Sequence, residues 1–194
     1  INNYLERQIK ENFPYQPTLE QEIAVKSLSE FLLSTLADEV FILRGYAGTG
    51  KTSLVGALVK TMDQLQQKSV LLAPTGRAAK VFSAYAGHPA FTIHKKIYRQ
   101  QSFSNELSNF SINDNLATNT LFIVDEASMI SNEGLSGSVF GTGRLLDDLV
   151  QFIFTPKNLR TYSVIIEVRA FIRTTNYNCF VHSVMVIAIV QFVN

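Results

Sequence analysis

The residues from Gly45 to Thr52, Gly-Tyr-Ala-Gly-Thr-Gly-Lys-Thr, fit the pattern G-x-x-x-x-G-K-[ST] without a mismatch. Each residue type in that run suits the binding of a phosphate. Gly45, Gly48 and Gly50 let the backbone wrap closely round an anion, and successive amides, those of Ala47 and Thr49 among them, can point into it. Lys51 can reach the outer phosphates of a nucleotide, and the Thr52 hydroxyl can ligate Mg²⁺. The plain alternative is a glycine turn before a helix that binds nothing. With glycine at ~7% per position, a chance match in a chain of this size is on the order of 1%.

A second cluster follows the apolar run Leu121-Phe122-Ile123-Val124, where the chain continues Asp125-Glu126-Ala127-Ser128-Met129. An acid at the carboxyl end of a strand lies beside the phosphate site in folds of this kind. Asp125 is expected to hold Mg²⁺ through water, and Glu126 to polarise an attacking water. Small-molecule kinases need no such carboxylate, so the pair favours hydrolysis. The competing reading is an acidic helix cap without chemistry.

The elements that must carry these groups alternate along the chain. Thr18-Leu-Glu-Gln21 opens an amphipathic helix with Ala24, Val25, Leu28, Phe31 and Leu32 on one stripe. Val40–Leu43, Val70–Ala73 and Leu121–Val124 are short continuous apolar runs, the mark of strands buried on both faces. Helices are expected from Lys51 to about Gln66, from Arg77, and over Leu145–Phe154, with a further strand at Tyr162–Val168. The polar, Asn/Ser-rich stretch between Gln100 and Thr120 reads as a loop or insertion. Strands alternating with helices predict an α/β domain with a mainly parallel sheet flanked by helices.

Composition narrows the class. The chain has 194 residues, 46% of them apolar and 17% charged, which fits one globular domain and excludes a charged, disordered arm. The net charge of +1 means that a polyanion must be gripped locally. A single cysteine, Cys179, excludes a disulfide framework and a thiolate metal site and agrees with a reducing cytosol. The longest apolar run, Val184–Val190, has seven residues against the ~20 that span a bilayer. A cytoplasmic protein with no membrane partner is the expectation.

The ordered motifs resemble a known family. Gly45–Thr52, Leu71-Leu-Ala-Pro-Thr75-Gly76-Arg77-Ala-Ala-Lys80, Thr92-Ile93-His94 and Asp125–Met129 occur in this order, at similar spacing, in RecD-like helicases of superfamily 1. The resemblance covers about residues 13–155 and implies a RecA-like P-loop NTPase fold: the first motor domain of an ATP-dependent helicase that moves on single-stranded DNA. It implies ATP and Mg²⁺ as cofactors. Gln21 looks like the family's adenine-reading glutamine, although Thr18-x-x-Gln21 is equally a capping box. Thr75 and Arg77 resemble the segment that touches the DNA backbone, and hydroxyls and guanidinium suit phosphate oxygens. The stretch Phe91–Arg99, with His94, interleaves cations and aromatics as a single-strand groove does. Thr92 is also a good cap for a short helix whose Ile93 and Ile97 face the core. Asp147-Asp148 reads as a solvated helix face, because adjacent helix positions point apart.

The last part of the chain departs from the family. Residues 149–194 hold four basic and one acidic residue, and no glycine lies beyond Gly143. Where the family continues from a strand into Gly-Asp-x-x-Gln-Leu-Pro-Pro, this chain has Arg169-Ala-Phe-Ile-Arg. A domain over residues 1–156 is therefore expected, followed by a divergent apolar segment over 157–194. That segment is read as the product of a changed reading frame or a gene remnant, the alternative being extra strands. A second motor domain, the usual donor of an arginine finger, finds no room, so a truncated form unable to unwind DNA alone is expected. The rival readings are a stand-alone P-loop ATPase, such as a clamp loader or packaging motor, and a non-enzymatic helicase remnant.

Overall fold

The computed structural model describes residues 2–34, 39–100, 110–132, 140–154, 162–167 and 187–191, the last two stretches as backbone. Strands β1 (Val40–Arg44), β2 (Lys68–Ala73), β3 (Ala90–Thr92), β6 (Thr120–Val124), β7 (Tyr162–Glu167) and β8 (Ile187–Gln191) form one sheet in the order β3-β2-β6-β7-β1-β8. All its pairings are parallel, Phe41 facing Val164 and Leu71 facing Ile123, for example. Parallel strands need crossovers, and the helices α2 (Leu19–Leu33), α3 (Lys51–Gln64), α4 (Gly76–Ala86), α5 (Ile93–Ile97) and α6 (Leu145–Ile153) account for the apolar stripes read from the sequence. The expected α/β class and RecA-like arrangement are present.

Why the strands are apolar throughout is visible in the packing. Successive side chains point to opposite faces. Phe41, Leu43, Leu71, Leu121 and Ile123 enter a core with α2, α3 and the N-terminal helix α1 (Asn2–Glu11). Leu72, Phe122 and Val124 enter a second core with Ile93, Ile97, Leu149 and Phe152. Covering both faces removes the central apolar positions of β1, β2 and β6 from water, and each large side chain so buried contributes about 1.5–3 kcal/mol. Helix α1 was not foreseen, though Leu5 and Ile9 lie one helical turn apart and both are buried.

Local signals hold where the partner is close in sequence. Thr18 caps α2 with both halves of the capping box formed, and Thr92 caps α5, whose Ile93 and Ile97 are fully buried. Two expectations need correction. Part of the polar stretch between Gln100 and Thr120 is not loop: β5 (Phe110–Ile112) pairs antiparallel with β4 (Tyr98–Gln100). Asp148 is not solvated but fully buried. Its carboxylate accepts the Tyr98 phenol at 2.6 Å and the amide and hydroxyl of Thr142 at 3.0 and 2.7 Å. Asp147 alone keeps the outward position, near Arg144 and Asn132. Asp148→Ala should therefore destabilise the protein by about 3 kcal/mol, since it strands buried donors. Thermal denaturation reads this directly, and a shift no larger than that of an exposed substitution would contradict the account.

Strand β7 enters where a strand was expected from Tyr162 onward, and it separates β1 from β6. Of the segment 157–194, the two described stretches lie in the same sheet as the phosphate-loop strand, one central and one at the edge. Cys179 and Arg169–Arg173 fall outside the described residues. No helix among the described residues is long and apolar enough to cross a membrane.

Candidate nucleotide site

At the carboxyl end of β1 the chain turns through the loop 45–50 and enters α3 at Lys51. Gly48 and Gly50 both sit at φ +83°, a left-handed conformation that any residue with a Cβ adopts at a cost. The two glycines serve differently. A Cβ at Gly48 would meet open space, whereas one at Gly50 would collide with the Gln21 amide and the Tyr15 hydroxyl. Gly50 is the N-cap of α3 and offers no side-chain cap. The first-turn amides and the helix dipole thus face the loop, which suits an anion.

Lys51 is the charged centre of the loop. Its side chain is nearly buried, and the ammonium donates to the carbonyls of Gly45 at 2.6 Å and Tyr46 at 2.5 Å, with Thr49 Oγ1 at 3.3 Å. Burial lowers its pKa, while the negative charges of Glu126 and Asp125 pull the other way. The fold therefore brings together the lysine and the two carboxylates that lie 74 and 75 positions later.

Asp125 follows β6, where its amide bonds to the carbonyl of Leu72 on the neighbouring strand at 2.9 Å. One carboxylate oxygen accepts the Glu126 amide at 3.0 Å, and the other accepts the Tyr85 phenol at 2.6 Å. Burial and the Asp125 carboxylate push the Tyr85 pKa up, against a smaller opposite effect of the Thr52 hydroxyl. Glu126 has φ +54°, a left-handed conformation that costs a non-glycine residue about 1–2 kcal/mol. It precedes a single 3₁₀ turn, Ala127–Met129, and makes no side-chain cap to it. That geometry gives no support to a capping role for the Glu126 carboxylate.

Gln21 joins the loop from behind. Its Oε1 accepts the Thr18 amide at 3.0 Å and its Nε2 donates to the Thr49 carbonyl at 3.1 Å. The same side chain thus closes the α2 cap and braces the phosphate loop.

The other expected contacts lie along α4 and α5. Thr75 caps α4, accepting from Ala78 N at 3.2 Å, and Arg77, two positions on, is exposed. Gly76, Lys80, Phe91, Thr92 and Lys95 line an open groove of about 470 Å³ between the two helices. The Lys96 ammonium stands 5.7 Å from the centre of the Phe91 ring. His94 instead packs against Tyr98 and Phe140, at ring separations of 5.7 and 5.3 Å, where burial lowers its pKa.

Whether these residues suit a magnesium nucleotide can be tested on the donor set. Among the described residues no group of three or more His, Cys, Asp or Glu could hold a metal alone. Magnesium takes few protein ligands and shares its shell with water and substrate phosphates. One hydroxyl, one carboxylate and a loop open above Gly48 match that demand. The residue that sequence reasoning missed is Tyr85. A tyrosine inside a helical stripe reads as core, and only its partner Asp125, 40 positions away, distinguishes it.

A family model described as an AAA domain matches residues 20–138. The ATP-dependent RecD2 DNA helicase of Deinococcus radiodurans is 34% identical over 115 residues, 56% of this chain and 15% of that protein. The multifunctional conjugation protein TraI of Escherichia coli is 31% identical over 117 residues, 57% of this chain and 6% of its own length. An uncharacterized protein of Methanocaldococcus jannaschii is 33% identical over 147 residues, 70% of this chain and 12% of that protein. The chain thus spans only a small part of the curated relatives it matches. With the match covering both the loop and the carboxylates, the chain belongs to the AAA domain family.

Proposed function

We propose that this chain binds Mg·ATP and hydrolyses it as the first motor domain of an ATP-dependent DNA helicase. The observation that carries the reading is the convergence of Lys51, on its glycine loop, with Asp125 and Glu126 across the sheet. The loop amides and Lys51 would hold the phosphates, and Gln21 would lie toward the base. Thr52 and Asp125 would hold magnesium, which when bound neutralises phosphate charge. Glu126 would accept a proton from the attacking water.

The DNA part of the proposal is supported by the α4–α5 groove. Its capped helix start at Thr75, its lysines and Phe91 supply donors for phosphates and a face for a base, with Arg77 beside it. A DNA contact by His94 would be made from beside the groove, since its ring packs on Tyr98 and Phe140 rather than lining it. Residues 1–156 hold every group in the proposal. Translocation needs a partner domain closing on the nucleotide, so residues 1–156 by themselves would turn over slowly without unwinding DNA.

Phosphate release by the purified chain, with and without single-stranded DNA, tests this. Slow hydrolysis that rises several-fold with DNA is the expected result. Hydrolysis indifferent to DNA would favour a stand-alone ATPase, and none at all would leave a remnant.

A further inference from the structure

The Tyr85 side chain has a geometry that packing alone does not require. It sits in the last turn of α4, where that turn lies close against α3: a Cβ at Gly56 would be 3.6 Å from the Tyr85 carbonyl. Its ring leans on the fully buried Phe82, centroids 5.2 Å apart. Helical side chains project toward the helix N-terminus, and so the phenol reaches back to the end of β6. There it donates to Asp125 Oδ2 at 2.6 Å while the Glu126 amide donates to Oδ1 at 3.0 Å.

A carboxylate held by a donor on each oxygen cannot rotate freely about its own bond. Each oxygen still keeps a further acceptor site, and these point in fixed directions. Partners that orient a metal-binding carboxylate in this way set metal affinity without touching the metal.

We infer that Tyr85 is a positioning residue of the magnesium site, holding the Asp125 carboxylate in the arrangement that receives the ion. The inference rests on the reading of Thr52 and Asp125 as the metal-holding pair. It makes α4 a structural part of that site. The helix that begins at the proposed DNA groove ends on the metal carboxylate.

Tyr85→Phe removes one oxygen and leaves the ring in place. The measurement is the magnesium dependence of binding of a fluorescent ADP analogue to the full chain, with thermal denaturation run alongside. In Tyr85→Phe the half-saturating magnesium concentration should rise about tenfold. Affinity for the analogue in excess EDTA should stay within about twofold. Phe82→Leu thins the same packing without touching the phenol. It should lower the melting temperature and leave the magnesium midpoint alone, which separates positioning from mere destabilisation. Asp125→Asn should raise the midpoint at least as far as Tyr85→Phe. If Asp125→Asn raises it and Tyr85→Phe does not, the positioning role is wrong. If neither moves it, the metal-site reading falls and takes the positioning role with it.

Discussion

Lys51→Ala should lose Mg·ATP binding by at least about 100-fold in isothermal calorimetry while the protein stays folded. Lys51 is the one cation that the loop encloses among the described residues, and it already donates to the carbonyls of Gly45 and Tyr46. A phosphate would compete for the same ammonium, exchanging neutral acceptors for charged ones. Hydrogen bonds to charged groups contribute about 1.5–3 kcal/mol each, and two of them account for a factor of 100 or more. Folding should suffer less than binding. The ammonium is held against a desolvation cost that lowers its pKa, so removing it relieves that cost as it frees two loop carbonyls. A melting temperature near that of the parent chain, with binding gone, is the signature. Unchanged affinity would remove the site assignment, because no other side chain of the loop carries charge.

The parts of this site differ in how far they could be read in advance. The loop, its helix and the strands β1, β2 and β6 are encoded by neighbours: glycines at fixed spacing, then an apolar run or stripe within about ten residues. The Thr18–Gln21 capping box is likewise local, and both of its hydrogen bonds are present. What escaped is non-local and polar. Asp148 reads as solvated from its own helix, and only Tyr98, 50 positions earlier, and the Thr142 turn show that it is enclosed. Tyr85 reads as core until Asp125 is placed beside it. The β4–β5 pair escaped because three-residue strands are too short for alternation to register. A buried hydrogen bond has no periodicity, so composition and spacing carry no trace of it.

Glu126→Gln separates chemistry from binding and should have the largest effect on rate. A positioned general base contributes about 10²–10⁴ in rate. The glutamine side chain matches glutamate in shape but cannot take the proton. Hydrolysis should therefore fall at least about 100-fold in single-turnover phosphate release. Affinity for Mg·ATP should stay within a few-fold, because the loop, Lys51, Thr52 and Asp125 are untouched. Two structural contributions of the residue are made by its backbone: the amide donates to Asp125 Oδ1, and the chain holds φ +54°. Glutamine keeps both. That is why a loss of rate in this variant reports on the carboxylate, whereas Glu126→Gly would change the backbone preference at the same time. The two variants are diagnostic as a pair, Lys51→Ala losing affinity and Glu126→Gln losing turnover. Parent-like turnover in Glu126→Gln would mean that another group activates the water. The left-handed turn at Glu126 would then serve only to aim the Asp125 carboxylate.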